Sequence, residues 1–364
     1  AAAQSLPQLV AARVLQGLGG GGLMTLSQAL IGELVPPRER IRFQGYFALM
    51  FTTASIGGPV IGGLVVSNTS WRWLFAANLP FALFAAWRLS RLPPGDRHPP
   101  ASGGRDVAGQ ILFAVAAVSS LFWMTSVGHR FGWVSLDSLS LLAVAIVSSV
   151  VLARHELRHA APFLPVELLR DRTVARSTAL TSLFAATLFA VVFFLPIYLQ
   201  VGHRVSAQLA GLLLLPVTAG MVTAAMLASR LLGRTGDPHW IPVTGMSLAA
   251  TALLLLGLLP DDRGLVIGLG FMTGLGLGAV MPINQVVVQT VAGRPRLGVA
   301  TSLLGLARST GGAAGAALFG AVVFALIPRV EVVQAFHYAF LVAAGVAALG
   351  ALVASRVPRV KLWQ

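Results

Sequence analysis

Two arginines lie inside stretches that are otherwise apolar, and their chemistry stands out first. Arg13 sits in "ARVLQGLGGGGLM" (12–24) and Arg308 in "LLGLARSTGGAAG" (303–315). A fixed cation in an apolar span is costly. It must face a cavity, a carbonyl or an acid, and it marks ion and substrate pathways. Next to an acid it lowers that acid's pKa, and it can change partners between two states of a protein. Gln16 follows Arg13 by three residues on the same helical face, within reach of the same network. Arg13 lies near the outer third of its span, where a long side chain can also snorkel to the interface. Arg308 lies about eleven residues into its span, near mid-depth, where snorkelling is hardest.

No acid accompanies them. All twelve Asp and Glu residues, and the seven His, fall in loops or at span ends. No His pair or metal-ligand cluster falls inside a span, and nothing resembles a nucleophile–base pair, a P-loop or a membrane-protease motif. The expectation is therefore no enzyme, no ATP-driven pump, no cofactor and no metal. The chain has no cysteine, which removes disulfides and thiolate chemistry.

The elements that position these residues follow from composition. Of 364 residues, 56% are hydrophobic and only 10% charged, with a mean hydropathy of +0.81. A soluble protein carries roughly 25% charged residues, so part of this surface must face lipid. The apolar runs are about twenty residues long, the length that crosses a bilayer as a helix. They do not alternate, which excludes a transmembrane β-barrel. The fold class is an all-α polytopic membrane protein. Eleven spans are expected, at 8–34, 43–66, 72–91, 107–127, 137–153, 177–200, 206–231, 240–259, 264–288, 297–326 and 335–355. A Pro/Gly-rich linker at 91–106 and a charged connection at 154–176, with an amphipathic piece around 163–169, are the longer joins.

The net charge of +14 reads as a topology signal, and no nucleic acid is expected. Nineteen of the basic residues fall in alternate loops on one side and five on the other, with Arg13 and Arg308 left inside spans. An excess of Lys and Arg marks the cytoplasmic side, which puts the C-terminus inside and Ala1 outside. The chain begins with Ala at the edge of a span and shows no signal-peptide pattern. It reads as N-terminally truncated, with an odd number of helices missing.

Small residues recur at four-residue spacing at Gly17/Gly21, Gly58/Gly62, Gly270/Gly274/Gly278 and Gly311/Gly315, with Gly63 and Gly312 beside them. In lipid such faces let helix backbones approach closely. Pro59, inside "GGPVIGG" (57–63), removes a hydrogen bond and kinks its helix. Trp71 and Trp73 read as an interfacial anchor, with Asn78 and Pro80 interrupting the turns that follow.

"RVLQGLGGG", "PPRER", "GGPVIGG" and "WRWLFAANLP" occur in that order near the start. "FLPIYLQ", "AGLLLLP" and "ARSTGGAAG" follow later. Together they resemble the major facilitator superfamily, in its fourteen-helix drug–proton antiporter branch (EmrB/QacA type). The resemblance covers essentially the whole chain. It implies a major facilitator fold with eleven of fourteen helices in this sequence. Residues 1–91 would represent the N-terminal half, 92–176 the linker region with two extra helices, and 177–364 the C-terminal half.

It further implies that Arg13 is the arginine of family helix four linked to proton coupling, with Gln16 and Arg308 as further coupling or gating residues. "SRLLGRTG" (229–236) echoes the family's basic loop but holds Gly233 where that loop usually has Asp. That leaves the gating element degenerate. The implied cavity lies at the midplane between two halves. By depth, Met24, Phe51, Phe184, Tyr198, Met221 and Met272 are its candidate contacts, suited to a greasy cation by dispersion and cation–π attraction.

The implied function is proton-coupled efflux of hydrophobic or amphipathic compounds by alternating access, in a bacterial cytoplasmic membrane. The implied partners are substrate, protons, lipid and, in some members, a periplasmic adaptor protein. Two alternatives stand beside it: a major facilitator transporter of a polar metabolite, and a non-transporting membrane receptor or scaffold.

Overall fold

The computed structural model describes residues 3–36, isolated positions between 39 and 65, and residues 68–91, 106–127, 130–159, 166–259, 262–293 and 296–360. Among these, nine helical stretches are long and apolar enough to cross a membrane. The expected span at 43–66 falls largely outside the described residues. The expected span at 72–91 forms two consecutive helices, α2 (Arg72–Ala76) and α3 (Asn78–Ser90). They part at Ala77, just before the Asn78–Leu79–Pro80 sequence.

α1 (Leu6–Leu34) is one unbroken helix. Its glycines do not interrupt it, because in an apolar setting the intrahelical ladder is the only way to satisfy the backbone. α4 (Val107–Ser126) and α5 (Leu136–Arg158) form an antiparallel hairpin. Asp106 caps α4 through the amide of Gly109 and Ser135 caps α5 through that of Ser138, each satisfying a terminal N–H. At the turn, Trp123 donates its indole N–H to Ser138 Oγ at 3.0 Å and meets Trp133 edge-on. The connection that follows contains a short helix, α6 (Val166–Arg170), over part of the expected amphipathic piece.

Six spans then share one core. α7 (Arg172–Phe189) runs through a π turn at Ala190–Phe194 into α8 (Leu195–Gly202). Pro196 explains the irregularity: it has no N–H for the preceding turn, and its ring crowds the carbonyl there, so the backbone widens. Pro216 acts similarly between α9 (Ala207–Leu212) and α10 (Leu215–Thr235). α10 ends at Gly236, whose φ of 65° is the left-handed cap that favours glycine. α11 (Trp240–Leu258), α12 (Arg263–Gly278), α13 (Val280–Ala292), α14 (Leu297–Leu326) and α15 (Val332–Ser355) complete the set.

The packing order runs α10, α12, α11, α15, α7, α14. Large side chains such as Phe319, Phe340 and Leu253 fill the interior. Leu254, Leu258, Leu349 and Leu352 stand on the outside, as an apolar belt does when its solvent is lipid.

Candidate functional site

Arg308 is the twelfth residue of α14, about 16 Å along the axis at 1.5 Å per residue. It is half-buried. Between Arg296 and Arg329 no other charged residue occurs. Its neighbours on the helix are held tightly. Ser182 donates its hydroxyl to the Ala307 carbonyl at 3.1 Å. A Cβ on Gly311 would strike the Ser182 backbone, and one on Gly315 the Ala186 backbone. A Cβ on Gly312 would lie 2.9 Å from the Phe189 ring. The face Ala307–Gly311–Gly315 is therefore clamped against α7, and Arg308 emerges about 100° around the helix from Ala307.

Arg13 is exposed on α1. Its Nη1 donates to Gln16 Oε1 at 3.3 Å, and its guanidinium stacks over the Phe75 ring, 4.8 Å from the centroid. The "WRWLF" segment thus meets α1 through a cation–π contact. At the other end of α1, Gln28 and Gly32 are buried. A Cβ on Gly32 would lie 3.4 Å from the Gln289 amide nitrogen and 3.5 Å from Leu297. That end of α1 seats where α13 passes into α14.

Among the described residues, two of the cavities between spans are large enough to matter here. One of about 600 Å³ lies among α10, α11 and α12, lined by Ala228, Leu231, Thr244 and Leu275, with Arg230 and Arg234 at its edge. The other, about 360 Å³, lies between the α4–α5 hairpin and α14, lined by Met124, Trp133, Phe194, Gly320 and Phe324. Neither is lined by Arg13 or Arg308.

Helix-only architecture, glycine-lined crossings and paired spans are shared by many transport folds, so comparison with known proteins decides the family. The Major Facilitator Superfamily matches this chain over residues 1–316 and, in a second match, over 179–363. The chain belongs to the Major Facilitator Superfamily.

Within it, the chain is 32% identical to the multidrug transporter protein MdtP of Bacillus subtilis, over 88% of this chain and 59% of that protein. It is 30% identical to the tetracenomycin C resistance and export protein of Streptomyces glaucescens, over 87% and 59%. It is 33% identical to the uncharacterized transporter YebQ of Escherichia coli, over 87% and 69%. The chain thus spans about three fifths of MdtP and of the tetracenomycin exporter.

Of the candidate cavity residues of this facilitator chain, Phe184, Tyr198, Met221 and Met272 have described side chains, and all four belong to or pack against the same buried cluster. Phe184 is buried in the core. Tyr198 is 1% exposed and closed into an aromatic cluster. Its hydroxyl lies 3.0 Å from His337 Nε2, and its ring packs edge-on against Phe340. Met221 and Met272 are half-buried. Phe51, Pro59, Gly63 and the side chain of Met24 lie outside the described residues. At Gly17, Gly21, Gly58 and Gly62 an added Cβ would meet nothing within 4 Å among the described residues.

Two features escape a reading of the spans alone. The first is a buried polar network on α13. Asn284 donates to the Ser177 carbonyl at 2.6 Å and to Thr181 Oγ1 at 2.7 Å, while Gln285 and Gln289 both donate to Thr301 Oγ1. It ties α7, α13 and α14 together, and the amide cluster "NQVVVQ" (284–289) was its only trace in the sequence. The second is the run "HELRH" (155–159) at the end of α5. Two His four residues apart with an intervening Glu is a metal-site pattern. A search for chemistry confined to the interior of spans passes over it.

Proposed function

We propose that the protein exports hydrophobic or amphipathic compounds in exchange for protons, by alternating access, as a member of the fourteen-helix drug–proton antiporter branch. One observation carries the reading: Arg308, the single charge of α14, stands half-buried at mid-span beside a clamped glycine face. A cation held there can interact with a titrating acid or a cationic substrate in one state and release it in another. The similarity to a multidrug transporter and to an antibiotic export protein supports the substrate class. In this reading residues 1–91 belong to the N-terminal half, 92–176 carry the extra pair, and 177–364 form the C-terminal half. The charge asymmetry between alternate loops supports a cytoplasmic C-terminus in a bacterial cytoplasmic membrane. Arg13 and Gln16 act with Arg308 in coupling. Met24, Phe51, Phe184, Tyr198, Met221 and Met272 are candidates for substrate contact as the halves rock.

Dye accumulation in cells tests this directly. Cells expressing the full-length protein should hold less of an amphipathic cationic dye than cells without it, and a protonophore should abolish the difference. Equal accumulation with a dye panel, together with altered uptake of a polar metabolite, would shift the assignment to a metabolite transporter.

A further inference from the structure

The α4–α5 hairpin carries a set of groups that export does not use, at the end opposite the Trp123–Trp133 contact. Asp106 Oδ1 accepts from the Gly109 amide at 2.8 Å and lies 2.7 Å from His155 Nε2. His159 follows one turn later, its ring centroid 5.0 Å from that of His155. One donor atom from each of Asp106, His155 and His159 lies within 4.8 Å of the other two. We propose that Asp106, His155 and His159 bind a zinc-type divalent transition-metal cation, which clasps the start of α4 to the end of α5.

Several independent features converge on this site. The two imidazoles sit at i and i+4, which presents both to one side of α5. Asp106 supplies a third ligand from the facing helix. Two imidazoles and one carboxylate suit zinc and its neighbours, whereas magnesium and calcium take oxygen ligands throughout. Three protein ligands leave a fourth position for water.

Burial is graded in the way a loading site needs. Asp106 is 5% exposed, His155 is half-buried and His159 is exposed. The anchored carboxylate therefore lies at the bottom, and a cation reaches it past His159. Gly109 keeps the space open. A Cβ there would run into the Asp106 carboxylate and lie 2.7 Å from Glu156 Oε1. Glu156 is itself 3% exposed, and its carboxyl group stands beside the site.

Binding requires two local changes. At metal–ligand bonds of about 2.0–2.1 Å in a tetrahedron, donor atoms stand roughly 3.3 Å apart. The cation would take the place of the direct contact between His155 Nε2 and Asp106 Oδ1, and the two donor atoms would part by a little over half an ångström. Rotation of His159, which is exposed, would bring the third donor inward.

The test uses purified full-length protein without a histidine tag, stripped with chelator and titrated with zinc against a chromophoric competitor. The expected result is one site per chain, undisturbed by millimolar magnesium. Loss of a partner that only supports a ligand typically costs 10–100-fold in metal affinity. His159→Ala, at an exposed position, should therefore weaken binding by about 100-fold, and Asp106→Asn, which retains a capping oxygen for α4, by a similar factor. Cobalt should give a visible tetrahedral absorption band in the wild type that His159→Ala loses. If the wild type binds no zinc at micromolar concentration, or if both variants bind as the wild type does, Asp106 and His155 form a hydrogen-bonded pair and nothing more. Neither result touches the export reading, which dye accumulation tests separately.

Discussion

Replacing Arg308 with Ala should abolish proton-coupled export by the full-length protein while leaving its amount in the membrane unchanged. The α7–α14 clamp lies beside Arg308 on the same helix. That clamp is built from Ser182, Ala307, Gly311 and Gly315. Placing an arginine at the centre of a membrane helix costs about 2.5–3.5 kcal/mol on insertion scales. A structural role thus predicts little loss on truncation, and a coupling role predicts loss of transport in a folded protein. Arg308→Lys separates charge from shape. The ammonium retains the charge but lacks the planar, five-donor fork, so partial export is expected. Transport assays paired with membrane quantification decide the matter. Wild-type export by Arg308→Ala would remove Arg308 from the mechanism.

Gly274→Leu should prevent folding. α12 meets α10 on one face and α11 on another, both through backbone contact. A Cβ on Gly274 would fall on the Val217 carbonyl and one on Gly278 on the Met221 backbone, while Gly220 of α10 meets the Phe271 carbonyl. On the second face, Gly245 and Gly276 meet each other's backbones. Overpacking a core costs typically 1–3 kcal/mol, occasionally more, when neighbouring side chains can yield. Here the obstacle is main chain, so whole helices must separate and the cost should exceed that range. The expected outcome is loss of the monodisperse peak on size-exclusion chromatography after mild detergent extraction. Gly345→Leu is the control: this glycine is exposed and a Cβ there meets nothing within 4 Å. Equal behaviour of the two variants would contradict the packing described.

The spans were legible because lipid imposes a simple rule: about twenty apolar residues without interruption. Proline positions were legible too, although the π turn before Pro196 was not, since a proline only says that the ladder must change. The glycine faces were half legible. Spacing identifies a face capable of close approach but cannot name the partner. Gly274, Gly278, Gly311 and Gly315 lie against backbones and Gly270 against the Val217 side chain, whereas a Cβ on Gly17, Gly21, Gly58 or Gly62 would meet nothing within 4 Å among the described residues. The hydrogen bond from Arg13 to Gln16 follows from their spacing of three. The Phe75 stack joins residues 62 apart and had no local signal. The same holds for Tyr198 with His337 and for Asn284 with Thr181, pairs 139 and 103 residues apart.

Proton movement driven by substrate is the most direct test of export by antiport. In everted membrane vesicles containing the full-length protein, respiration acidifies the interior. Adding an amphipathic cationic substrate should then dissipate the pH gradient, read as dequenching of a pH-sensitive dye. Vesicles with Arg308→Ala should keep their gradient. If substrate crosses the membrane on the wild-type protein with no movement of protons at any concentration, export is not coupled to protons and the role given to Arg308 is wrong.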